Sequence, residues 1–161
     1  MTVQDYNRCV DNFSDGIYRF MLKNTRDEEL SKDVVQEAFC RLWEKHEGVE
    51  FEKARSYLFT TAYHFMIDEF RKNKYKTDMS DFTSDTLKNE TLFTDLADVL
   101  EEAVSKLPEI QRSVVLLRDY EGYSYKEIGD ITGLSESQVK VYIYRARMTL
   151  KQYIGSMDKV I

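Results

Sequence analysis

The stretch YSYKEIGDITGLSESQVKVYIYRARMTL, residues 123 to 150, carries two helix-start signals eleven positions apart. Ser124 is followed three residues later by Glu127, and Ser135 is followed in the same way by Gln138. In such a capping box the serine hydroxyl accepts a hydrogen bond from a free backbone amide, and the later side chain reaches back to the serine amide. The pattern predicts a short helix followed closely by a longer one.

A glycine turn joins these two helices. We predict the first helix from about residue 125 to residue 132 and the second from about Glu136 onward. Gly133 suits the left-handed backbone of a tight turn, and Gly129 leaves room for the helices to approach closely. The apolar residues expected to fix their crossing are Ile128, Ile131, Leu134, Val139 and Ile143. This is the spacing of a helix-turn-helix, whose second helix lies in the major groove of DNA.

The second helix has one apolar side and one polar side. Its predicted core side consists of Val139, Ile143, Ala146 and Leu150. The opposite side carries the candidate DNA-binding residues Ser137, Gln138, Lys140, Val141, Tyr144 and Arg145. Gln138 and Lys140 can hydrogen-bond base edges, and Arg145 can contact a base or a phosphate. The alternative is a helical hairpin with a solvated basic face, which accounts less well for two capping boxes and a glycine turn.

Composition favours a helical protein of the cytoplasm. One proline and six glycines in 161 residues favour long, uninterrupted helices. We expect no signal peptide and no membrane insertion, because the most apolar stretch, residues 57 to 67, is too short to span a bilayer. Cys9 and Cys40 stand far apart without a CxxC pair, so we expect free thiols and no metal site.

The formal net charge of −6 is unusual for a protein that binds nucleic acid. Positive charge is nevertheless concentrated between residues 135 and 151, where the basic residues Lys140, Arg145, Arg147 and Lys151 face a single acid, Glu136. The acidic remainder weakens unassisted binding to DNA and favours a larger partner that holds the protein there.

Hydrophobic periodicity predicts an all-α fold of two small helical domains joined by a flexible linker. The first domain spans residues 1–73, the linker 74–95, and the second domain, with the helix-turn-helix, 96–161. The linker segment is polar, rich in Asp, Ser and Thr, and has no sustained period.

Apolar stripes place the individual helices. In the first domain they predict a helix through the stripe from Phe13 to Met21, a second from Ser31 to Lys45, and a third from Lys53 to Lys72. The expected core side of the third helix is Leu58, Phe59, Ala62, Phe65, Met66 and Phe70. In the second domain, Pro108 fits the first turn of a helix that should stop at Gly122.

Two segments of the first domain resemble a known family. DVVQEAFCRLWEK, residues 33 to 45, and RSYLFTTAYHFMIDEFRK, residues 55 to 72, closely resemble conserved region two of bacterial sigma factors. Residues 107 to 150 look like region four of the same proteins. The short segment between them is similar to the extracytoplasmic-function group of the sigma-70 family, which lacks a middle domain. The resemblance implies a sigma factor that binds core RNA polymerase and promoter DNA, has an anti-sigma factor as a partner, and needs no cofactor or small-molecule substrate.

The resemblance also assigns a polymerase-docking surface to the second predicted helix. In this family the corresponding helix docks a coiled coil of the largest polymerase subunit. The matching residues are Asp33, Gln36, Glu37, Arg41 and Trp43. Val34, Ala38 and Leu42 are expected to be core, and core remains the alternative for Trp43.

By the same resemblance, the third helix and the loop before it hold the melted strand of the minus-ten element. That task needs aromatic faces, polar groups and basic residues. The matching residues are Tyr57, Thr61, His64, Asp68 and Arg71. His64 stands where the family usually has asparagine, and Tyr57 where it usually has tryptophan. An ion pair between His64 and Asp68, four residues apart, is the alternative interpretation of those two.

The second helix of the helix-turn-helix is then expected to recognise the minus-thirty-five element as duplex. Val141 and Tyr142 replace the small polar and basic pair common at these positions. Because valine can contact the methyl group of thymine, we expect a thymine-bearing position in the recognised element.

Two other function classes fit the sequence less well. A self-sufficient dimeric helix-turn-helix regulator would bind duplex DNA without polymerase, and the acidic charge counts against it. An enzyme is not indicated, since no catalytic triad order, metal motif, P-loop or dinucleotide fingerprint is present. For a sigma factor we expect two steps: polymerase docking frees the domains to span both promoter elements, and the exposed bases are then held by the first domain.

Overall fold

The computed structural model describes residues 1–77 and 96–160, with side chains through residue 74 in the first range and residue 155 in the second. All regular structure in these ranges is helical, which confirms the all-α prediction. The helices are α1 (Val3–Thr25), α2 (Glu28–Glu44), α3 (Phe51–Thr77), α4 (Leu96–Ser105), α5 (Glu109–Val115), α6 (Tyr125–Thr132) and α7 (Glu136–Val160). Most of the predicted linker, residues 78–95, lies outside the described residues.

Helix α2 begins three residues earlier than the sequence predicted. The Asp27 carboxylate accepts a hydrogen bond from the amide of Leu30 and so caps the helix, which starts at Glu28. Ser31, the predicted first residue, is instead fully buried, and its hydroxyl donates to the carbonyl of Asp27. Helix α3 runs past the predicted end at Lys72 to Thr77. No glycine or proline interrupts these additional residues, so nothing there breaks the helix.

Helices α1, α2 and α3 pack together around an apolar core in the amino-terminal half. The predicted core residues of α3 are buried at Leu58, Phe59, Ala62 and Met66, whereas Phe65 and Phe70 are only partly buried. Tyr63, which the periodicity did not select, is 5% exposed. Its burial raises the pKa of the phenol to about 12.

In the carboxy-terminal half, α7 packs against α4, α5 and α6. Pro108 immediately precedes α5 rather than lying in its first turn. After Val115 the helix widens into a π-helical turn over Leu116–Tyr120. Gly122 then has a φ of +78°, which confirms the predicted left-handed stop.

The helix-turn-helix forms where the sequence predicted it. The Ser124 hydroxyl accepts from the amide of Glu127, and the Glu127 carboxylate accepts from the Ser124 amide. The second capping box makes the same reciprocal pair of bonds. Gly133 has a φ of +83°. A Cβ added to Gly129 would lie 2.8 Å from the carbonyl oxygen of Leu134, so only glycine permits this close approach.

The two halves of the chain contact each other. Helices α1 and α3 pack against α4, α5 and α6. The ring of Phe59 meets the ring of Phe20 on one side and that of Tyr123 on the other, each at a centroid distance of 5.5 Å. This packing fixes α3 against α6, on which α7 packs, and α3 and α7 carry all of the predicted DNA-binding residues. The division into two domains remains a prediction.

Replacing Gly129 with alanine should destabilise the carboxy-terminal half by about 1–3 kcal/mol, because the new methyl group overlaps the Leu134 carbonyl. Gly155→Ala in α7 is the matched control. A Cβ there meets nothing within 4 Å, so this change should be neutral or stabilise by about 0.5–1 kcal/mol. Denaturant unfolding followed by circular dichroism measures both, and equal effects would contradict the proposed close approach.

Candidate nucleic-acid and polymerase interfaces

One side of α7 is buried and the other is open to solvent. Val139, Ile143 and Ala146 are at most 1% exposed and fix the rotation of the helix about its axis. The six predicted DNA-binding residues are all exposed: Ser137, Gln138, Lys140, Val141, Tyr144 and Arg145. The structure therefore brings these six together on one face. We refer to it as the α7 face.

The local contacts of the α7 face differ from residue to residue. The side-chain oxygen of Gln138 accepts a hydrogen bond from the backbone amide of Ser135, so the capping box occupies that oxygen. The Lys140 ammonium lies 5.7 Å from the ring centroid of Tyr125, and the Arg145 guanidinium lies 6.0 Å from that of Tyr142. Neither cation has a carboxylate partner within salt-bridge distance among the described residues, and both are exposed.

The sequence did not predict the partner of Arg147 or the exposure of Met148. Arg147 belongs to the basic concentration of α7, but its guanidinium pairs with the carboxylate of Asp119. Met148 is 39% exposed and extends an apolar strip that begins with Val141 (45%) and Tyr144 (66%). The three- and four-residue spacing of this strip could have identified it from the sequence.

The predicted minus-ten residues share one side of α3. His64, Asp68 and Arg71 are exposed, whereas Tyr57 and Thr61 are half-buried, and the Thr61 hydroxyl donates to the carbonyl of Tyr57. His64 and Asp68 form no ion pair with each other in the described part of the chain. The imidazole of His64 instead meets the ring of Tyr63 edge-on at 5.6 Å. We refer to this side as the α3 face.

A cavity of about 240 Å³ lies beside Tyr57, at the start of the α3 face. Its lining comes from the connection between α2 and α3 and from the first turns of α3: Gly48, Val49, Glu50, Lys53 and Tyr57. The resemblance assigned the loop before α3 to the melted strand, but it did not name Glu50 or Lys53. The cavity combines an aromatic ring, a carboxylate and an ammonium group.

The predicted docking residues lie along α2. Asp33 and Gln36 are exposed, and the Glu37 carboxylate is 3.1 Å from Nε of Arg41, four residues later. The Arg41 guanidinium also lies 5.3 Å from the ring centroid of Phe65, which holds it against α3. We refer to this row as the α2 face.

Trp43 is not a core residue. It is 43% exposed, stacks on the imidazole of His46 at 4.4 Å, and meets the ring of Tyr6 at 5.0 Å. The stacking fixes the indole orientation at the end of the α2 face. Cys40 is also exposed, whereas Cys9 is buried.

The described residues contain no group of three or more side chains placed to hold a metal ion. No helix in the described ranges is long and apolar enough to cross a membrane.

Comparison with known families accounts for both halves. Residues 9–75 match the family described as Sigma-70 region 2, and residues 97–150 match Sigma-70, region 4. Together the two matches span about three quarters of the chain. SigM of Bacillus subtilis, an ECF RNA polymerase sigma factor, is 29% identical over 86% of this chain and 88% of its own. SigL of Mycobacterium tuberculosis, another ECF sigma factor, is 29% identical over 84% and 83%.

Solved structures share the arrangement of helices. The sigma factor RpoE of Bartonella quintana, solved with the anti-sigma factor NepR, matches with a TM-score of 0.78. It is 21% identical, with 95% of this chain and 98% of that one covered. CnrH, solved with the cytosolic domain of CnrY, has a TM-score of 0.69 at 23% identity, covering 94% and 88%.

The chain belongs to the extracytoplasmic-function group of the sigma-70 family. Members of this family direct promoter-specific transcription initiation together with core RNA polymerase, so the chain is a transcription initiation factor.

Ser124→Ala should loosen the start of the helix-turn-helix. Hydrogen bonds from the Ser124 backbone amide and then from its hydroxyl lower the pKa of Glu127. Stability from this carboxylate is therefore present above its ordinary pKa and lost as the pH falls through the lowered value. Removing the hydroxyl should raise the pKa of Glu127 and cost about 1 kcal/mol of unfolding free energy at neutral pH.

Carbon-detected NMR titration follows the Glu127 carboxyl directly. Ser135→Ala, in the second capping box, is the matched control and should leave the pKa of Glu127 unchanged. A Glu127 titration that does not move in Ser124→Ala would show that the hydroxyl contributes nothing to the lowered pKa.

Proposed function

We propose that this sigma factor recognises the minus-thirty-five element as duplex through the α7 face and holds the melted minus-ten strand on the α3 face. The α2 face docks core polymerase. The observation that carries the proposal is the exposure of one chemically suited face on each of these three helices. Each face lies opposite the residues that bury its helix.

The α7 face suits the major groove. Lys140 and Arg145 are exposed cations that can bind guanine edges or phosphates. Gln138 retains a free amide nitrogen while its oxygen caps the helix. Val141 and Tyr144 stand between them as apolar groups that can contact thymine methyls, which supports a thymine-bearing position in the element.

The α3 face and its cavity suit an unstacked base. The Tyr57 ring offers a stacking surface beside an open space of about 240 Å³. Glu50 and Lys53 can hydrogen-bond a base edge or a phosphate there. Arg71, at the far end of the face, is exposed and can neutralise a backbone phosphate.

The α2 face suits a protein partner. Its carboxylates and amide are exposed at Asp33 and Gln36, and the Glu37–Arg41 pair is held in place by Phe65. Trp43 adds a large ring that is already oriented by stacking. Aromatic residues and arginine are the types that contribute most to protein interfaces.

We also propose regulation by an anti-sigma factor and action in the cytoplasm. RpoE of Bartonella quintana was solved with the anti-sigma factor NepR, and CnrH was solved with the cytosolic domain of CnrY. The similarity in helix arrangement supports an equivalent partner for this chain. No small-molecule substrate or cofactor is part of the proposal, since polymerase supplies the chemistry.

Run-off transcription tests the proposal as a whole. Purified protein and sigma-free core polymerase are incubated with fragmented genomic DNA, beside a reaction that lacks the protein. New transcripts with defined starts would support the proposal, and their upstream sequences would give the two elements. No new transcript, together with duplex binding by the protein alone, would favour an independent regulator.

Lys140→Ala and Arg145→Ala should each reduce transcription from a promoter with a minus-thirty-five element, since a base contact contributes about 1–3 kcal/mol. Arg145→Lys is the matched variant. It keeps the positive charge but loses the bidentate hydrogen-bond geometry of the guanidinium. This variant should therefore lower transcription only if Arg145 hydrogen-bonds a base edge. Both alanine variants should equal the wild type on a template without that element, and unchanged output on the complete promoter would exclude the α7 face.

Gln36→Ala with Glu37→Ala should weaken polymerase binding by at least tenfold, about 1.4 kcal/mol, while leaving helix content unchanged. Asp11→Ala with Asn12→Ala is the matched control, because it removes an exposed acid and amide from α1 instead. Alkylation of Cys40 provides an independent measurement, since core polymerase should protect this exposed thiol. Full labelling of Cys40 in the complex would place the docking surface elsewhere.

A further inference from the structure

The contact between the two halves contains several polar and charged groups. The amino-terminal half contributes Arg19, Lys23, Asn24, Arg26 and Arg55, and the carboxy-terminal half contributes Glu102, Arg112, Ser113, Tyr120 and Glu121. Apart from Arg112, the cations lie on the amino-terminal side and the carboxylates on the carboxy-terminal side. Charge complementarity of this kind orients two surfaces that dock reversibly.

Glu121 is the most deeply buried charged residue of this contact. Its side chain is 2% exposed and lies in the bend between the π-helical turn and α6. Nε and Nη2 of Arg19, on α1, donate to its two carboxylate oxygens at 3.0–3.1 Å. Nη2 of Arg55, on α3, donates to the Glu121 carbonyl at 2.8 Å and lies 3.5 Å from Oε1. One residue thus joins the carboxy-terminal half to two helices of the other half.

The surroundings hold this carboxylate in place. The Arg55 guanidinium lies over the ring of Tyr123 at 4.4 Å, and burial raises the pKa of Tyr123 to about 12. A Cβ on Gly16 would lie 3.4 Å from Oε1 of Glu121, an ordinary van der Waals distance, so α1 passes directly beside the carboxylate. Arg19 and Arg55, with side chains 49% and 35% exposed, remain partly hydrated. We call Glu121, Arg19 and Arg55 the Glu121 cluster.

A second polar contact lies one to two turns further along α1. The side-chain oxygen of Asn24, which is 5% exposed, accepts from Nε of Arg112 and from the hydroxyl of Ser113. Arg26 pairs with Glu102 at 2.8 Å. The first contact pairs a partly exposed cation with a neutral amide, and the side chains of the Arg26–Glu102 pair are 32% and 22% exposed. The carboxylate of Glu121 is therefore the charge most completely removed from water in this contact.

The docked arrangement cannot reach both promoter elements at once. The minus-ten and minus-thirty-five elements lie about 25 base pairs apart, which is roughly 85 Å at 3.4 Å per base pair. A compact chain of this length has a radius of gyration of about 15 Å and a diameter of roughly 40 Å. The α3 and α7 faces must therefore separate before each can occupy its own element.

We propose that the Glu121 cluster is a latch that holds the sigma factor in a closed state and that opening this latch precedes promoter binding. The inference rests on the proposed function, because only the two-element span requires opening. When the halves separate, all three groups regain water, so the net stabilisation of the closed state by the cluster is modest. A contact of this kind can open in response to polymerase docking and close again on release.

Distance measurement between spin labels tests the latch in the free, full-length protein. Labels are attached to Cys40 on α2 and to Thr149→Cys on α7, with buried Cys9 replaced by alanine. The wild type should give one short, narrow distance population. Glu121→Gln should increase the ratio of open to closed molecules about ten- to hundredfold, the usual effect of losing hydrogen bonds to a charged group.

Asp119→Asn is the matched control. It removes the same charge two residues away, but its partner Arg147 belongs to the same half, so the distance population should stay closed. An unchanged population in Glu121→Gln, or equal opening in Asp119→Asn, would overturn the latch. Far-ultraviolet circular dichroism checks that helix content is retained in both.

Charge inversion separates a latch from a general packing role. Arg19→Glu with Arg55→Glu places three carboxylates together and should open the protein. Adding Glu121→Arg to that pair restores opposite charges and should return the closed population. Failure of the triple variant to close, while it remains folded, would show that the charges do not hold the contact.

Transcription at limiting core polymerase links the latch to activity. Glu121→Gln should give more promoter transcript than the wild type, because apparent affinity rises with the fraction of molecules in the competent state. Equal transcript from both proteins would overturn the role of the latch in initiation. If the wild type supports no transcription at all, the proposed function fails, and the label distances still decide whether the cluster holds the halves together.

Discussion

The burial of one side of α7 is the constraint on which the carboxy-terminal half depends. Val139, Ile143 and Ala146 lie four or three residues apart, and packing them against α4, α5 and α6 leaves the helix one possible rotation about its axis. That rotation alone determines which side chains are exposed on the α7 face. The close approach at Gly129 then sets the crossing of α6 and α7, because any larger residue would displace the Leu134 carbonyl.

The same relation between a buried and an exposed side recurs in the other half. Helices α2 and α3 each bury one stripe in the shared core and present the opposite side to solvent. A helix with an apolar side and a polar side therefore serves two purposes at once, since the residues that stabilise the fold also determine which residues are exposed for the proposed contacts. Contacts such as Arg41 on Phe65 and Trp43 on His46 further restrict side chains that would otherwise be free.

The contact between the halves is of another kind. It mixes the aromatic packing of Phe20, Phe59 and Tyr123 with a buried carboxylate, and the carboxylate is stabilised only while both arginines face it. A wholly apolar contact of the same extent would be harder to open, since separation would expose apolar surface to water. Groups that water solvates well give a contact that can separate, as the proposed binding to two promoter elements requires.

The sequence by itself determined the helices, the two capping boxes, the glycine turn and the exposed side of α7, because capping and periodicity act over three or four residues. It misplaced the start of α2 and the end of α3, where local caps and the absence of a helix breaker decide. It did not predict the burial of Tyr63, the cavity beside Glu50 and Lys53, or the pairing of Arg147 with Asp119. Above all, only the tertiary structure decided that Glu121 meets Arg19 and Arg55, since these residues are 102 and 66 positions apart and no local pattern links them.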